Sequence, residues 1–331
     1  MRNTIPELLI RLLILLCLCN YSWWTTLEAR PCRSFGRAQT LHRSSLMPYA
    51  RVQLQQFSGN FLIDFGTTRS TIDLAGFQSG RPVPLPGSPD QYSGFQFFGP
   101  WQKVTLLARD HSRVQGIRQA GILGTDILST AIYTLDYSRG RIYQADPQGF
   151  CTPAQLVDAG FAAVSTAGSY TRYPERLQGL FRVNIPAIPV QIGGISAPAQ
   201  IDSGYDDRLF RYALNINQAW YTALQRAGIQ LIENPAADLR LSTCVVGVRE
   251  NIKAYTLPSG SFFAIEALDG RLLMRNTTVH VFLKQTPPEA ARCGGIGTWQ
   301  FPAGQLGASI LMAAQKVILD PFQSRVWFYT R

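Results

Sequence analysis

Histidine and charged residues are scarce in this chain. Of its 331 residues, three are histidine and 16% carry a formal charge, whereas 46% are hydrophobic. The cysteines form no CxxC pair and histidine is almost missing, so we expect no metal site and no cofactor. No G-x-S-x-G turn, phosphate-binding glycine loop or GxGxxG fingerprint follows a predicted strand. This excludes the usual serine-hydrolase, P-loop and dinucleotide-binding designs.

The chain also lacks any run of five basic residues. Its formal charge is +10, from 31 Lys and Arg against 21 Asp and Glu, and the arginines are scattered. Scattered charge of this kind predicts a solvated basic surface, and we expect no nucleic-acid partner. An attraction to an anionic envelope or to acidic partners is the alternative.

Long apolar runs are missing except near the N-terminus. Leu8 to Leu18 is apolar apart from Arg11, and Arg2 precedes it. The run is too short to predict a membrane span, but it is typical of an export signal. We therefore assign 1–29 to a signal that is either cleaved or kept as an anchor, with Trp23-Trp24 at the membrane interface. Either form predicts an exported protein, which is secreted, periplasmic or envelope-associated.

Export permits disulfides, and the cysteine count agrees with them. Two of the six cysteines fall within the signal. The other four are Cys32, Cys151, Cys244 and Cys293. Four cysteines allow three pairings. Pairing within each half of the chain is the simplest, and it joins Cys32 to Cys151 and Cys244 to Cys293.

One short pattern occurs twice. The segment 61–70 contains an apolar residue, Asp64, one variable residue and Gly66, and the segment 199–208 has the same order around Asp202 and Gly204. Each aspartate is preceded at the same distance by an alternating strand, a turn that contains glycine, and a second strand.

A second pattern follows each aspartate loop. Gly121-Ile-Leu-Gly124 corresponds to Gly304-Gln-Leu-Gly307, and both are followed by two apolar closing strands. Three elements repeated in the same order indicate a duplicated domain.

The repeats divide the chain. A polar leader, 30–45, precedes a first lobe, 46–146, and a connector, 147–178, leads to a second lobe, 179–331. In the connector, Thr152-Pro153 predicts the start of a short helix that ends at Asp158. In the second lobe, helical spacing predicts a helix over 215–227.

The repeated loops and apolar-apolar-Gly strands resemble those of the pepsin and retropepsin group of aspartic proteases. The resemblance covers about 46–331. It implies an all-β fold, a duplicated acid-protease-like bilobal β-barrel with a few short helices. It also implies a single-chain aspartic endopeptidase, monomeric and without a cofactor, that acts on a peptide or protein substrate. By the same resemblance, Ile122-Leu123-Gly124 and Gln305-Leu306-Gly307 pack beneath the two loops.

The chemistry supports this interpretation independently. Hydrolysis of a peptide bond without a metal needs a base to activate water and an acid to protonate the leaving group. Two neighbouring carboxyl groups that share one proton can do both. Two lobes that face each other would bring Asp64 and Asp202 together as this catalytic pair. Gly66 and Gly204 allow tight turns whose amides can hold the carboxylates.

The hydroxyl residues of the loops depart from the family pattern. Family members usually carry Thr or Ser directly after each aspartate, and often a further hydroxyl residue after the glycine. Here those positions hold Phe65 and Thr67 in the first loop, and Ser203 and Tyr205 in the second. We expect Thr67 and Ser203 to support the loops. Because Phe65 cannot donate a hydrogen bond from its side chain, a pseudoprotease that binds exported peptides is the alternative. If the missing hydroxyl limits activity, Phe65→Thr should raise it.

Two further features could affect the site. Gln91–Phe98 is expected to form a hairpin, on which Tyr92 resembles a flap tyrosine that closes over substrate. An aromatic residue packed under a hairpin is the alternative. Asp206 and Asp207 follow the second loop, where they are either solvated or raise the proton affinity of Asp202.

Overall fold

The computed structural model describes residues 32, 34–166, 168–174, 183–206, 210 and 212–330. The expected export signal, 1–29, and Asp207 lie outside these residues. No helix in the described part of the chain has both the length and the apolar character needed to span a bilayer.

Short strands make up most of the described chain. In order, they are β1 (Arg37–Ser44), β2 (Met47–Leu54), β3 (Phe57–Ile63), β4 (Thr71–Ile72), β5 (Gln91–Tyr92), β6 (Phe95–Gln96), β7 (Pro100–Trp101), β8 (Val104–Thr105), β9 (Leu107–Ala108), β10 (Gln119–Leu123), β11 (Ile132–Asp136), β12 (Arg141–Ala145), β13 (Phe161–Ser165), β14 (Ala187–Ile192), β15 (Ile195–Ile201), β16 (Ala213–Asn217), β17 (Ile232–Glu233), β18 (Leu239–Ser242), β19 (Arg249–Thr256), β20 (Phe263–Glu266), β21 (Leu272–Asn276), β22 (His280–Lys284), β23 (Gly304–Leu306), β24 (Lys316–Asp320) and β25 (Arg325–Tyr329).

The helices are few and short. They are α1 (Thr125–Leu128), α2 (Pro153–Asp158), α3 (Gln218–Arg226) and α4 (Ala308–Ala313), with 3₁₀ turns at Leu74–Gly76, Pro147–Gly149, Pro235–Ala237, Pro288–Cys293 and Ile296–Thr298.

The strands form two lobes, one for each repeat. In the first, the strand order β1-β2-β3-β10-β4-β9 surrounds the loop that carries Asp64. In the second, the order β17-β19-β22-β16-β23-β15-β14-β20-β21 surrounds the loop that carries Asp202. The expectation of an all-β, bilobal and duplicated fold with a few short helices is therefore confirmed.

A sheet shared by both halves joins the lobes. Its order is β13-β25-β24-β11-β12-β1, so the last strands of the chain pair with strands of the first lobe. The register places Asp136 opposite Lys316, and the two side chains form an ion pair at 3.2 Å. The sheet thus crosses the boundary between 46–146 and 179–331.

A small apolar cluster covers one face of this shared sheet. Its buried members include Phe161, Ile318 and Trp327, and helix α2 contributes Leu156. The polar leader, 30–45, and the connector, 147–178, therefore both contribute to the sheet and its cover. Strand β1 lies in the leader, and α2 and β13 lie in the connector. Strand β1 was missed because most of its side chains are exposed, so it has no apolar pattern to read.

One of the two predicted helices begins where expected, and the other does not. Helix α2 begins and ends as expected, with Thr152 in a capping box with Gln155. The helix predicted over 215–227 is wrong at its start, because β16 runs to Asn217 and the side chain of Asn217 caps α3. Every residue of β16 is buried, and such a run does not separate strand from helix by periodicity.

The predicted hairpin over Gln91–Phe98 is also wrong. Strand β5 pairs with β8, whereas β6 pairs with β2 and β7. Phe95 packs edge-to-face against Phe61 and Trp101, so burial of its ring selects partners outside the hairpin.

Both expected disulfides are present in the structure. Cys32 bonds to Cys151, and Cys244 bonds to Cys293. The first holds the start of the described chain against α2. The second closes the β18–β19 hairpin onto the 3₁₀ turn at Pro288–Cys293. Two disulfides are typical of proteins that reside in an oxidising environment.

Removing the second disulfide should lower the stability of the second lobe. The bond joins residues 49 apart, and in the chain-entropy model a loop of that length contributes about 4 kcal/mol. Urea denaturation of the Cys244→Ser, Cys293→Ser double variant should show a loss approaching this value. Val246→Ser, in the same hairpin but 89% exposed, is the control and should change little. A loss below about 1 kcal/mol would contradict the expectation.

Candidate active site

Each of the two aspartates stands at the end of a strand that has a parallel neighbour. Strand β3 pairs with β10, and the N–H of Asp64 donates to the carbonyl of Leu123 at 3.0 Å. Strand β15 pairs with β23, and the N–H of Asp202 donates to the carbonyl of Leu306 at 2.9 Å. The repeated sequence elements thus make the same hydrogen bond in both lobes.

The glycines that directly follow β10 and β23 allow each aspartate loop to pack closely against the strand beneath it. A Cβ at Gly124 would lie 2.9 Å from the Thr67 carbonyl oxygen, and one at Gly307 would lie 2.9 Å from that of Tyr205. The same carbonyls accept the N–H groups of residues 125 and 308, at 2.9 and 2.8 Å. Both apolar-Gly strands therefore pack beneath the aspartate loops.

The carboxyl groups of Asp64 and Asp202 lie within hydrogen-bonding distance of each other. Gly66 N–H donates to Asp64 Oδ1 at 2.7 Å, and Gly204 N–H donates to Asp202 Oδ1 at 3.0 Å. A Cβ at Gly66 would lie 2.3 Å from Asp202 Cγ, and one at Gly204 would lie 2.6 Å from Asp64 Cγ. Each glycine therefore leaves room for the carboxyl group of the opposite lobe.

Ser203 links the two loops. Its hydroxyl accepts the N–H of Phe65 at 3.1 Å and donates to the carbonyl of Ile63 at 2.7 Å. Both bonds cross from one lobe to the other, and Ser203 is completely buried. A single hydroxyl thus joins the second loop to the backbone on both sides of Asp64.

Phe65 occupies the position where a second linking hydroxyl would stand. Its ring is completely buried and packs edge-to-face against Tyr133 and Tyr170, with centroids 6.4 and 6.2 Å away. Tyr170 lies in the segment between the lobes, and its hydroxyl donates to the carbonyl of Leu128 at 2.7 Å. An aromatic cluster therefore replaces the missing polar link, and Phe65 does not block the carboxyl pair.

Thr67 supports its loop differently from what the sequence suggested. Within the described residues its hydroxyl makes no hydrogen bond to Asp64, and its contribution is the carbonyl that accepts Thr125 N–H. The first loop is instead supported by Ser70, whose hydroxyl donates to Asp126 at 2.6 Å and accepts Gly124 N–H at 3.0 Å.

Sequence reasoning missed Gln305. Its side-chain Nε2 donates a short hydrogen bond to Asp202 Oδ2. The sequence nevertheless carries one signal for this residue. The equivalent position in the first repeat is Ile122, so a polar residue had replaced an apolar one directly beside an aspartate loop.

Asp206 makes a contact that the sequence did not suggest, and the burial of Tyr92 agrees with one of its two alternatives. Asp206 Oδ2 accepts the N–H of Leu46 at 3.2 Å, which makes it a contact between lobes. Tyr92 is 2% exposed and belongs to the core, which agrees with packing beneath the β5–β8 ribbon. A role for Tyr92 over the cleft stays a prediction.

Comparisons with known proteins add little to this geometry. No protein-family model and no curated protein matches the chain. Among solved structures, it is similar to the aspartic proteinase from Irpex lacteus, with 13% identity, a TM-score of 0.44, and coverage of 89% of this chain and 97% of that one.

Burial raises the proton affinity of both carboxyl groups. Loss of solvation raises the pKa of Asp64, and the N–H groups of Gly66 and Gly204 offset this only in part. Burial and the negative charge of Asp64 raise the pKa of Asp202 well above its usual range, against the opposing donors Gly204 and Gln305. Asp206 is not among the main causes. Two buried carboxyl groups this close hold a proton between them more readily than free carboxylates do.

The same residues offer little to a metal ion. Within the described part of the chain, no group of three or more His, Cys, Asp or Glu side chains is arranged to hold one.

Replacing Phe65 by threonine should destabilise the protein, whatever its effect on activity. Removing the buried ring leaves a cavity beside Tyr133 and Tyr170, and such losses are typically about 3–5 kcal/mol. Urea denaturation of Phe65→Thr should show a loss of this order. Phe65→Leu is the control and should lose less, because it fills more of the space. A Phe65→Thr variant as stable as the original chain would show that the cluster is unimportant.

The stability of Asp202→Asn relative to the original chain should depend on pH. The pKa of Asp202 is raised in the folded state, so its neutral form adds stability that is present below the ordinary value of 3.8 and lost as pH rises through the folded pKa. Asparagine cannot ionise and escapes this loss. As pH rises from about 4 to 7, the free energy of unfolding of the variant should therefore increase relative to that of the original chain.

Asp269→Asn is the control for this measurement. Hydrogen bonds from Arg271 lower the pKa of Asp269, so its removal should give a small change of the opposite sign. A constant difference between Asp202→Asn and the original chain over the whole pH range would mean that Asp202 is not held neutral by burial.

Proposed function

We propose that this protein is an aspartic endopeptidase in which Asp64 and Asp202 activate water to hydrolyse a peptide bond. The observation that carries this proposal is the pair itself. Two buried carboxyl groups from equivalent loops lie within hydrogen-bonding distance, each held by a glycine N–H of its own loop. That arrangement suits an acid and a base that share one proton.

The proposed reaction needs no other group. The ionised carboxyl takes a proton from water while the water oxygen attacks the substrate carbonyl carbon, and the protonated carboxyl gives its proton to the carbonyl oxygen. In the second step, the pair gives its proton to the amide nitrogen and a hydroxyl of the tetrahedral diol returns one to the pair, while the C–N bond breaks and the amine and the new carboxylic acid leave. The pair ends the cycle with one proton, as it began.

Positioning in this scheme comes mainly from the backbone. Gly66 and Gly204 N–H groups direct the carboxyl groups, and the Ser203 hydroxyl holds the two loops at a fixed separation. Because these donors are already oriented, little free energy is needed to rearrange them when the reaction begins.

The substrate we propose is an extended peptide or protein segment that lies between the aspartates and the β5–β8 ribbon. It would pair through its backbone, as in strand addition. Tyr92 would serve in this scheme by holding the ribbon from beneath. The disulfides support export of the protein, and we propose that it acts outside the cytoplasm as a monomer, with membrane association through the N-terminus if the signal is kept.

A peptide-binding pseudoprotease is the second candidate. Phe65 and the missing bond from Thr67 to Asp64 favour it, because fewer hydroxyl donors support the carboxyl pair than in the family that the loops resemble. The same cleft would then hold a peptide without cleaving it. The pair of carboxyl groups would be a remnant of the ancestral reaction.

A cleavage assay separates the two candidates. The full chain is incubated with an unfolded protein substrate over pH 3–7, and cleavage should be strongest at mildly acidic pH, because burial raises the pKa values of the pair. Asp64→Asn and Asp202→Asn should each lower the rate by at least about a thousandfold, since one carboxyl group cannot serve as both acid and base. Asp269→Asn, on the surface, should cleave normally.

Cleavage that survives either active-site change would rule out the proposed mechanism. If no form cleaves any substrate but a peptide binds in competition with an aspartic-protease inhibitor, the pseudoprotease is the better description.

A further inference from the structure

Gln305 gives one aspartate of the pair a donor that the other lacks. Its Nε2 donates to Asp202 Oδ2, while Asp202 Oδ1 accepts Gly204 N–H. Both oxygens of Asp202 are thus occupied by fixed donors. In the first lobe the equivalent position is Ile122, which has no polar side-chain atom to offer Asp64.

The orientation of the Gln305 amide is fixed by Asn215. Asn215 lies opposite Gln305 in the antiparallel pairing of β16 with β23, and its Nδ2 donates to Gln305 Oε1 at 2.8 Å. Asn215 is completely buried, whereas Gln305 is partly exposed. The three side chains form one chain of donors that runs from Asn215 through Gln305 to Asp202.

The opposite orientation of the two amides, with the Gln305 oxygen toward Asp202, would be unfavourable. In the present arrangement Asn215 Oδ1 is buried with no hydrogen-bond partner. If Gln305 turned its oxygen toward Asp202, Asn215 would have to turn as well, and its NH₂ group would be buried with two unused donors. The Gln305 oxygen would also face the ionised Asp202, where neither oxygen can donate, so the amide of Gln305 stays a donor toward Asp202.

We propose that Gln305 is a positioning residue of the carboxyl pair, held by Asn215, which keeps Asp202 Oδ2 as an acceptor and so keeps the pair singly protonated down to lower pH. The inference deepens the proposed function and rests on it for its catalytic meaning. The other groups that act on the pair are the N–H groups of Gly66 and Gly204 and, through its positive charge, Arg109. All of them remain in place when Gln305 is changed.

The first test is the pH–rate profile of Gln305→Met, which keeps the approximate side-chain volume but removes the donor. Loss of a hydrogen bond to the charged form raises proton affinity, so both limbs of the profile should move to higher pH, the acidic limb by about one unit. At a fixed pH on that limb the rate would fall about tenfold. Ile122→Met is the matched control in the other lobe, where no donor is removed and the limbs should stay in place.

Gln305→Glu tests the donor directly. At acidic pH its protonated carboxyl can donate to Asp202 and accept from Asn215, so the acidic limb should return toward its original position. At higher pH a third carboxylate beside the pair should abolish this rescue. A packing role for Gln305 predicts no such dependence on pH.

Asn215→Leu tests whether Asn215 fixes the orientation of the Gln305 amide. With the amide of Gln305 free to turn, the acidic limb should shift in the same direction as for Gln305→Met, by a smaller amount. Because Asn215 acts through Gln305, the double variant should shift no further than Gln305→Met alone. Additive shifts would overturn the assigned role of Asn215.

A measurement without catalysis keeps the inference separate from the proposed function. If Gln305 stabilises the charged form of the pair, Gln305→Met should lower the free energy of unfolding more at pH 7 than at pH 4. An equal loss at both pH values would overturn the inference, even in an active enzyme. If the original chain cleaves nothing, the proposed function fails, while a larger loss at pH 7 still supports the role of Gln305. Should Gln305→Met not fold, Asn215→Leu gives the same comparison.

Discussion

Two carboxyl groups buried side by side repel each other strongly once both are charged, and the centre of this molecule is built to tolerate that repulsion. Asp64 and Asp202 come together because the same loop is presented twice, face to face. Glycine N–H groups and the Gln305 amide supply the donors that bulk water would otherwise provide. Burial nevertheless raises proton affinity, so the pair retains a proton that an exposed pair would lose.

This arrangement depends on how firmly the lobes are held together. The shared sheet joins β24 and β25 to β11 and β12, and the buried Asp136 pairs with Lys316 across it. Close to the carboxyl groups, the Ser203 hydroxyl bridges the two loops. The shared sheet and the Ser203 bridge together fix the separation of the carboxyl groups, which a single connection between the lobes could not do.

The two halves keep the same backbone pattern but differ in the side chains that support it. The first loop uses Ser70 with Asp126, and an aromatic ring at Phe65. The second uses Gln305, with Asn215 behind it. Divergence has therefore been tolerated where side chains pack around the loops, while the hydrogen bonds from the strands to the aspartates have remained equal. The carboxyl groups are chemically inequivalent as a result.

The sequence by itself determined what repeats along the chain. Two copies of Asp-x-Gly, each followed by an apolar-apolar-Gly strand, predicted the duplicated all-β fold and the pair Asp64 and Asp202, and the cysteine positions within each half predicted the disulfides. Only the tertiary structure decided which side chains surround the pair. The pairings of β1 and β6, the aromatic cluster around Phe65 and the contact of Gln305 with Asp202 all depend on residues far apart in sequence. Local patterns report periodicity and turns, whereas partners across a sheet are selected by burial in three dimensions.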